Sequence, residues 1–150
     1  MAAIKRILES LSSFLFSVVQ GGDSGRCKYK TKCSCPSLSI MERSDKVMSG
    51  CRLYLKHNLK ICDLAREAGT NRSYMSISIK SVKGQSFNQY VNSYRVGYAK
   101  ELIRSKKTST NEEVAIASGF SSARNFTRQF RIIEGTTPSR YRKAIEIGIR

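Results

Sequence analysis

The sequence predicts an all-α fold: a seven-helix domain with two helix-turn-helix units joined by a long linking helix, preceded by an amphipathic helix and a linker. Three observations predict it. Apolar residues recur at helical spacing, and no alternating strand pattern of useful length interrupts them. Glycines and capping residues cut the chain into short helices. Finally, "LAREAGTNRSYMSISIK" and "VAIASGFSSARNFTRQFR" share one grammar, a short helix, a glycine and a second helix.

The elements follow in order. Ile4, Ile7, Leu8, Leu11, Leu15 and Val18 lie at helical spacing and predict an amphipathic helix over 4–18. Residues 20–40 are rich in glycine and serine and read as a linker, so the chain divides into 1–43 and 44–150. A first domain helix is expected from Asp45 to His57. A second, Ile61 to Ala68, stops at Gly69, a suitable residue for the left-handed end of a helix. A third runs from Arg72 to Lys83 behind Asn71 as N-cap, with Met75, Ile79 and Val82 inward.

The fourth helix opens on Ser86 and Gln89, a capping box, and extends to about Arg104. Phe87, Tyr90, Val91, Tyr94, Tyr98 and Leu102 form its stripe. The helical period of that stripe assigns the tyrosines to core packing rather than to base stacking. Thr110 and Glu113 make a second box for the fifth helix, which carries Val114 and Ile116 and ends at Gly119. Ser121 or Ser122 caps the sixth, which ends at Gly135. The seventh starts with Pro138 behind Thr137, since proline fits the first helical position.

The repeated grammar has a mechanical reason. Ala65 and Ala115 both precede their glycine by four residues. A small side chain there lets two helices approach closely, and the glycine permits the left-handed backbone of a tight turn. In such a unit the second helix enters the major groove of DNA. The linking helix supplies a length check. About 20 residues at ~1.5 Å each span ~30 Å, close to the ~34 Å between successive major-groove faces. One chain would then read two half-sites.

Charge agrees with a polyanionic partner. The 150 residues carry a formal net charge of +16, and residues 51 onward hold 19 Lys and Arg against 7 Asp and Glu. Nucleic acid and an anionic membrane surface are the two classes this admits. The best apolar run, Ile7 to Val19, is 13 residues long and contains Glu9, short of the ~20 that span a bilayer. No Ala-x-Ala cleavage site follows it before Gly21. Five cysteines without a disulfide-like rhythm favour a reducing, cytoplasmic setting. No membrane partner is expected, and the alternative is a basic protein lying on lipid through residues 4–18 and the linker.

Residues from about Ser44 to Lys143 resemble the DNA-binding domain of the AraC/XylS family of bacterial transcription regulators. The resemblance rests on "SGFSSARNFTRQFRIIEGTTPSRYRK", with Gly119-Phe120, Phe126, Phe130-Arg131, Gly135, Thr137-Pro138 and Tyr141-Arg142 in place. Upstream, "GTNRSYMS" and "SFNQYVNSYRVGYAKELI" fit the first half. The match covers about 100 of the 150 residues and implies double-stranded DNA as partner. By that resemblance, Ser73, Ser76 and Ile77 face DNA from the first recognition helix, with Lys80 near a phosphate. Ala123, Arg124, Asn125 and Arg128 do so from the second. Arg124 or Arg128 suits guanine and Asn125 suits adenine. Arg131, Arg72, Lys83 and Arg142 are candidates for phosphate contacts. Ile77 stands where the family often has a cation, so the first helix is expected to read a thymine methyl, or to bind weakly. RNA polymerase and a second copy, paired through residues 1–43, are further expected partners.

Cys27, Cys33 and Cys35 sit among lysines and raise a metal or redox reading. Their C-x5-C-x-C spacing does not match a zinc site, and a fourth ligand would have to come from Cys51, Cys62 or His57. No metal and no cofactor are expected. Cys62 reads as a small buried hydrophobe and His57 as a helix-end residue. No phosphate-binding glycine loop, His-x-x-Glu-His arrangement or nucleophile with its base occurs, so no enzyme is expected.

Overall fold

Two apolar cores, strung on one helix, organise the computed structural model, which describes residues 36–105 and 110–148. Among the described residues there are seven α-helices and no strand. They are α1 (Pro36–Gly50), α2 (Ile61–Glu67), α3 (Arg72–Ser78), α4 (Phe87–Arg104), α5 (Asn111–Ala117), α6 (Ala123–Glu134) and α7 (Pro138–Glu146). A 3-10 turn, Leu53–Leu55, separates α1 from α2, and α3 runs on into a π-helical turn, Ile79–Lys83. The expected helix over 4–18, Cys27, Cys33, Cys35 and the pairing surface of 1–43 as far as residue 35 lie outside the described residues.

The caps sit where the sequence puts them. Asn71 Oδ1 accepts from Tyr74 N–H at 2.9 Å, and Ser122 Oγ accepts from Asn125 N–H at 3.2 Å. The Ser86–Gln89 and Thr110–Glu113 boxes are both closed. Pro138 opens α7 behind Thr137. Each cap satisfies helix-end N–H groups that have no partner within the helix.

The first core gathers Met41, Val47 and Met48 of α1, Leu64 and Ala65 of α2, Met75 and Ile79, and Tyr90 and Val91 of α4. The second gathers Val96, Ala99 and Ile103 of α4, Val114 and Ala115 of α5, and Phe120, Phe126 and Phe130. The linking helix therefore buries its first half in one unit and its second half in the other. The tyrosine stripe belongs to the first core. Asp45 accepts from the hydroxyls of Tyr90 at 2.6 Å and Tyr94 at 2.8 Å. Burial first pushes both phenols far above their ordinary range; the carboxylate adds to the rise at Tyr94, and Tyr94 and the carboxylate add to it at Tyr90.

Four expectations are corrected. The first domain helix starts at Pro36, within the segment read as linker, and ends at Gly50, short of His57. Ile40 and Met41, ahead of Asp45, are already buried, and Arg52 at φ 48 breaks the chain into the 3-10 turn. Val82 is 38% exposed, because the i→i+5 turn replaces the α-helical register that would have placed it inward. Ile116 is 71% exposed, on the far side of α5 from Val114 and Ala115. Cys62 is exposed; Leu64, Ala65 and Ala68 fill the inner side of α2 instead.

Candidate nucleic-acid interface

Both units turn by the same device. Thr70 N–H donates to Ala65 O and Gly69 N–H to Arg66 O, at 2.9 and 3.1 Å. Phe120 N–H donates to Ala115 O and Gly119 N–H to Ile116 O, at 2.9 and 3.0 Å. These pairs are Schellman motifs, with the glycines at φ 65 and φ 80. Ala65 and Ala115 are 2% and 1% exposed, as helices in close approach require. The turns differ in length: Asn71 caps α3 two residues after its glycine, and Ser122 caps α6 three after. In the longer turn Phe120, the counterpart of Thr70, is fully buried in the second core.

Helix α6 answers why phenylalanines alternate with cations. Phe126 and Phe130 are completely buried, with ring centroids 5.6 Å apart. Arg124, Arg128 and Arg131 are exposed on the opposite side. Asn125 is half-buried, and so is Ala123, which packs on the second core. In α3 and its π turn, Ser73, Ser76, Ile77 and Lys80 are all exposed, while Met75, Ser78 and Ile79 face inward. Exposed Arg72 opens α3. Each expected DNA-facing side chain therefore has solvent access, with Ala123 the most constrained. Lys83, expected near a phosphate, donates to Asp45 at 3.2 Å, and Arg142 is half-buried.

Some of the surface was not anticipated. Tyr74 is 60% exposed beside Ile77 at 59%, giving α3 an apolar pair three residues apart. A polar groove between the halves is lined by Asn58, Lys60, Asn88 and Asn92 on one side and by Asn125 and Arg128 on the other. Those residues are scattered through the sequence, and only the fold joins them. Among the described residues no group of three or more metal-ligating side chains forms, and no helix is long and apolar enough to cross a membrane.

Comparison with known proteins matches this geometry. Residues 64–144, more than half of the chain, match the family described as a helix-turn-helix domain. A solved transcriptional regulator of Chromobacterium violaceum, with an AraC-type DNA-binding domain, superposes with a TM-score of 0.62. It is 21% identical, and the match covers 72% of this chain and 93% of that one. The chain belongs to the AraC-type helix-turn-helix family. The uncharacterized HTH-type transcriptional regulator YtdP of Bacillus subtilis is 30% identical over 100 residues, 67% of this chain. The match spans only 13% of the length of that relative. The DNA-binding domain of AdpA, a global transcriptional factor solved in complex with a target DNA, superposes at a TM-score of 0.58 and 24% identity, covering 71% of this chain and 91% of that one.

Proposed function

We propose that this chain acts as a sequence-specific double-stranded DNA-binding transcription regulator, with α3 and α6 entering adjacent major-groove segments. The observation that carries this reading is the repetition: two Schellman-turned units share one continuous helix, and each presents an exposed outer face on its second helix. Membership of the AraC-type family supports it.

Two layers of chemistry follow. Lysines and arginines displace counterions from phosphates and give salt-sensitive affinity. Lys80, Arg131 and Arg72 take that part. Arg124 and Arg128 then address guanine O6 and N7, Asn125 an adenine edge, and Ser73, Ser76 and Ile77 the second block, Ile77 through a thymine methyl. Ala123 allows close approach of α6 to the groove.

Selection of bound duplexes from a random pool tests the reading. Two blocks about ten base pairs apart are expected. A single block, or no motif, would contradict it. Contact with RNA polymerase and pairing of two copies through residues 1–43 extend the same proposal. Sedimentation of the full chain against one lacking residues 1–35 reads the pairing directly.

A further inference from the structure

The two turn glycines occupy equivalent positions, yet their surroundings differ. A Cβ on Gly69 would meet nothing within 4 Å. A Cβ on Gly119 would lie 2.8 Å from Leu55 O, 3.0 Å from Leu55 Cα and 3.0 Å from Tyr54 O. Gly69 serves its own turn. Gly119 serves its turn and also receives the backbone of the other half.

Two side chains close this joint. Arg95, near the middle of α4, is 9% exposed. Its Nε donates to Tyr54 O at 2.7 Å and its Nη2 to Lys56 O at 2.8 Å. Its guanidinium carbon lies 5.6 Å from the centre of the Phe120 ring. One side chain thus binds the 3-10 segment of the first half and the turn of the second. Burial pulls its pKa down, but a guanidinium keeps its charge, here facing carbonyl dipoles and an aromatic face. His57 adds the other bond: Nδ1 lies 3.1 Å from Gly119 O. A carbonyl only accepts, so Nδ1 carries the hydrogen and donates it.

A helix shared by two units fixes their axial distance. It resists rotation and rocking of one unit about the shared axis poorly, unless a contact away from that axis opposes them. The joint at residues 54–57 and 119–120 is such a contact. We propose that Arg95 and His57, docked on Gly119 and Phe120, set the angle between the two units and thereby the base-pair spacing the protein accepts. They are positioning residues, and the inference rests on the two-block reading above. The joint couples two binding events, and couplings of this kind change affinity by roughly 5–150-fold.

The test uses the full chain and duplexes carrying the two selected blocks, at the selected spacing and with one base pair inserted or removed. Wild type, His57→Ala, His57→Asn and Arg95→Lys are compared by fluorescence anisotropy, with thermal melting as control. Wild type is expected to reject the altered spacings. His57→Ala and Arg95→Lys are expected to lose about tenfold of that discrimination, with binding to an isolated block unchanged. His57→Asn, which keeps an N–H donor, is expected to restore it. His57 is exposed, so its variants fold even where Arg95→Lys does not. An unchanged spacing profile in His57→Ala, or an equal loss at every spacing, overturns the proposal. A wild-type chain that selects only one block would instead sink the two-block reading itself.

Discussion

The two helix-turn-helix units share a skeleton and differ in what they present. Each has a seven-residue first helix, a buried alanine, a Schellman turn and a side-chain-capped second helix. The outer face of α3 carries Tyr74, Ile77 and serine hydroxyls between Arg72 at its start and Lys80 in the π turn that continues it. The outer face of α6 carries three guanidinium groups, and the helix stays α-helical for all 12 residues. The cores differ as well. The first mixes methionines with an aspartate that ties two tyrosines, whereas the second is an aromatic ladder. Ring centres along it, Phe120 to Phe126 to Phe130 to Tyr141, lie 5.4, 5.6 and 5.5 Å apart. One scaffold can therefore be held by two kinds of interior, and the reading is delegated to a few outward side chains.

The strongest way to break the comparison is through the interiors. Phe126→Ala removes one of the two inner rings of the ladder and is expected to cost about 3–5 kcal/mol. Met75→Ala in the first core should cost about 2–5 kcal/mol, toward the lower end because a flexible thioether leaves neighbours that re-pack more easily. Urea unfolding of both variants ranks the cores. A larger loss at Met75 would show that the aromatic ladder is the softer interior.

Next in size are the reading residues. Arg124→Ala is expected to cost about 1–3 kcal/mol on the preferred duplex and to relax selectivity at one position. Equal weakening on all sequences would make Arg124 a phosphate ligand. Ile77→Ala removes apolar contact with a thymine methyl, about 1 kcal/mol, and should leave the salt dependence unchanged. Replacing that thymine by uracil should reproduce most of the loss, and a full-sized loss on the uracil duplex would remove the methyl contact from the account.

Much of this is legible in the sequence. The boxes at Ser86–Gln89 and Thr110–Glu113, the glycines after Ala65 and Ala115, and Pro138 act within a few residues of themselves, so their chemistry is readable locally. The two faces of α6 were legible because Phe126 and Phe130 recur at helical spacing among arginines. What escaped depends on distant partners. Arg95 has the residue type of a surface cation, and the carbonyls of Tyr54 and Lys56, with the face of Phe120, make its burial tolerable. Gly119 looks equivalent to Gly69 until Leu55 is placed against it. Val82 fits a helical stripe that the π turn discontinues, and Ile116 is an apolar residue type on a side of the helix left exposed among the described residues.

The smallest expected effect concerns how the two first helices begin. Helix α5 starts with a threonine cap and two acidic residues in its first turn. Helix α2 has Lys60 in the capping position, so Asp63 does that work. It accepts from Lys60 N–H at 3.2 Å and pairs with Lys56 at 3.2 Å and Arg66 at 3.0 Å. The Lys60 hydrogen bond first, and Lys56 after it, hold the Asp63 carboxyl below its ordinary pKa. A carboxyl whose folded pKa is depressed stabilises above its unfolded pKa, and that contribution is lost as pH falls through the folded value. Asp63→Asn should therefore lower the melting temperature slightly at neutral pH, and the gap to wild type should close as the pH falls below the ordinary carboxylate range. A gap that persists in acid would mean that Asp63 holds α2 through the shape of its hydrogen bonds, which asparagine copies imperfectly, and that its charge contributes little.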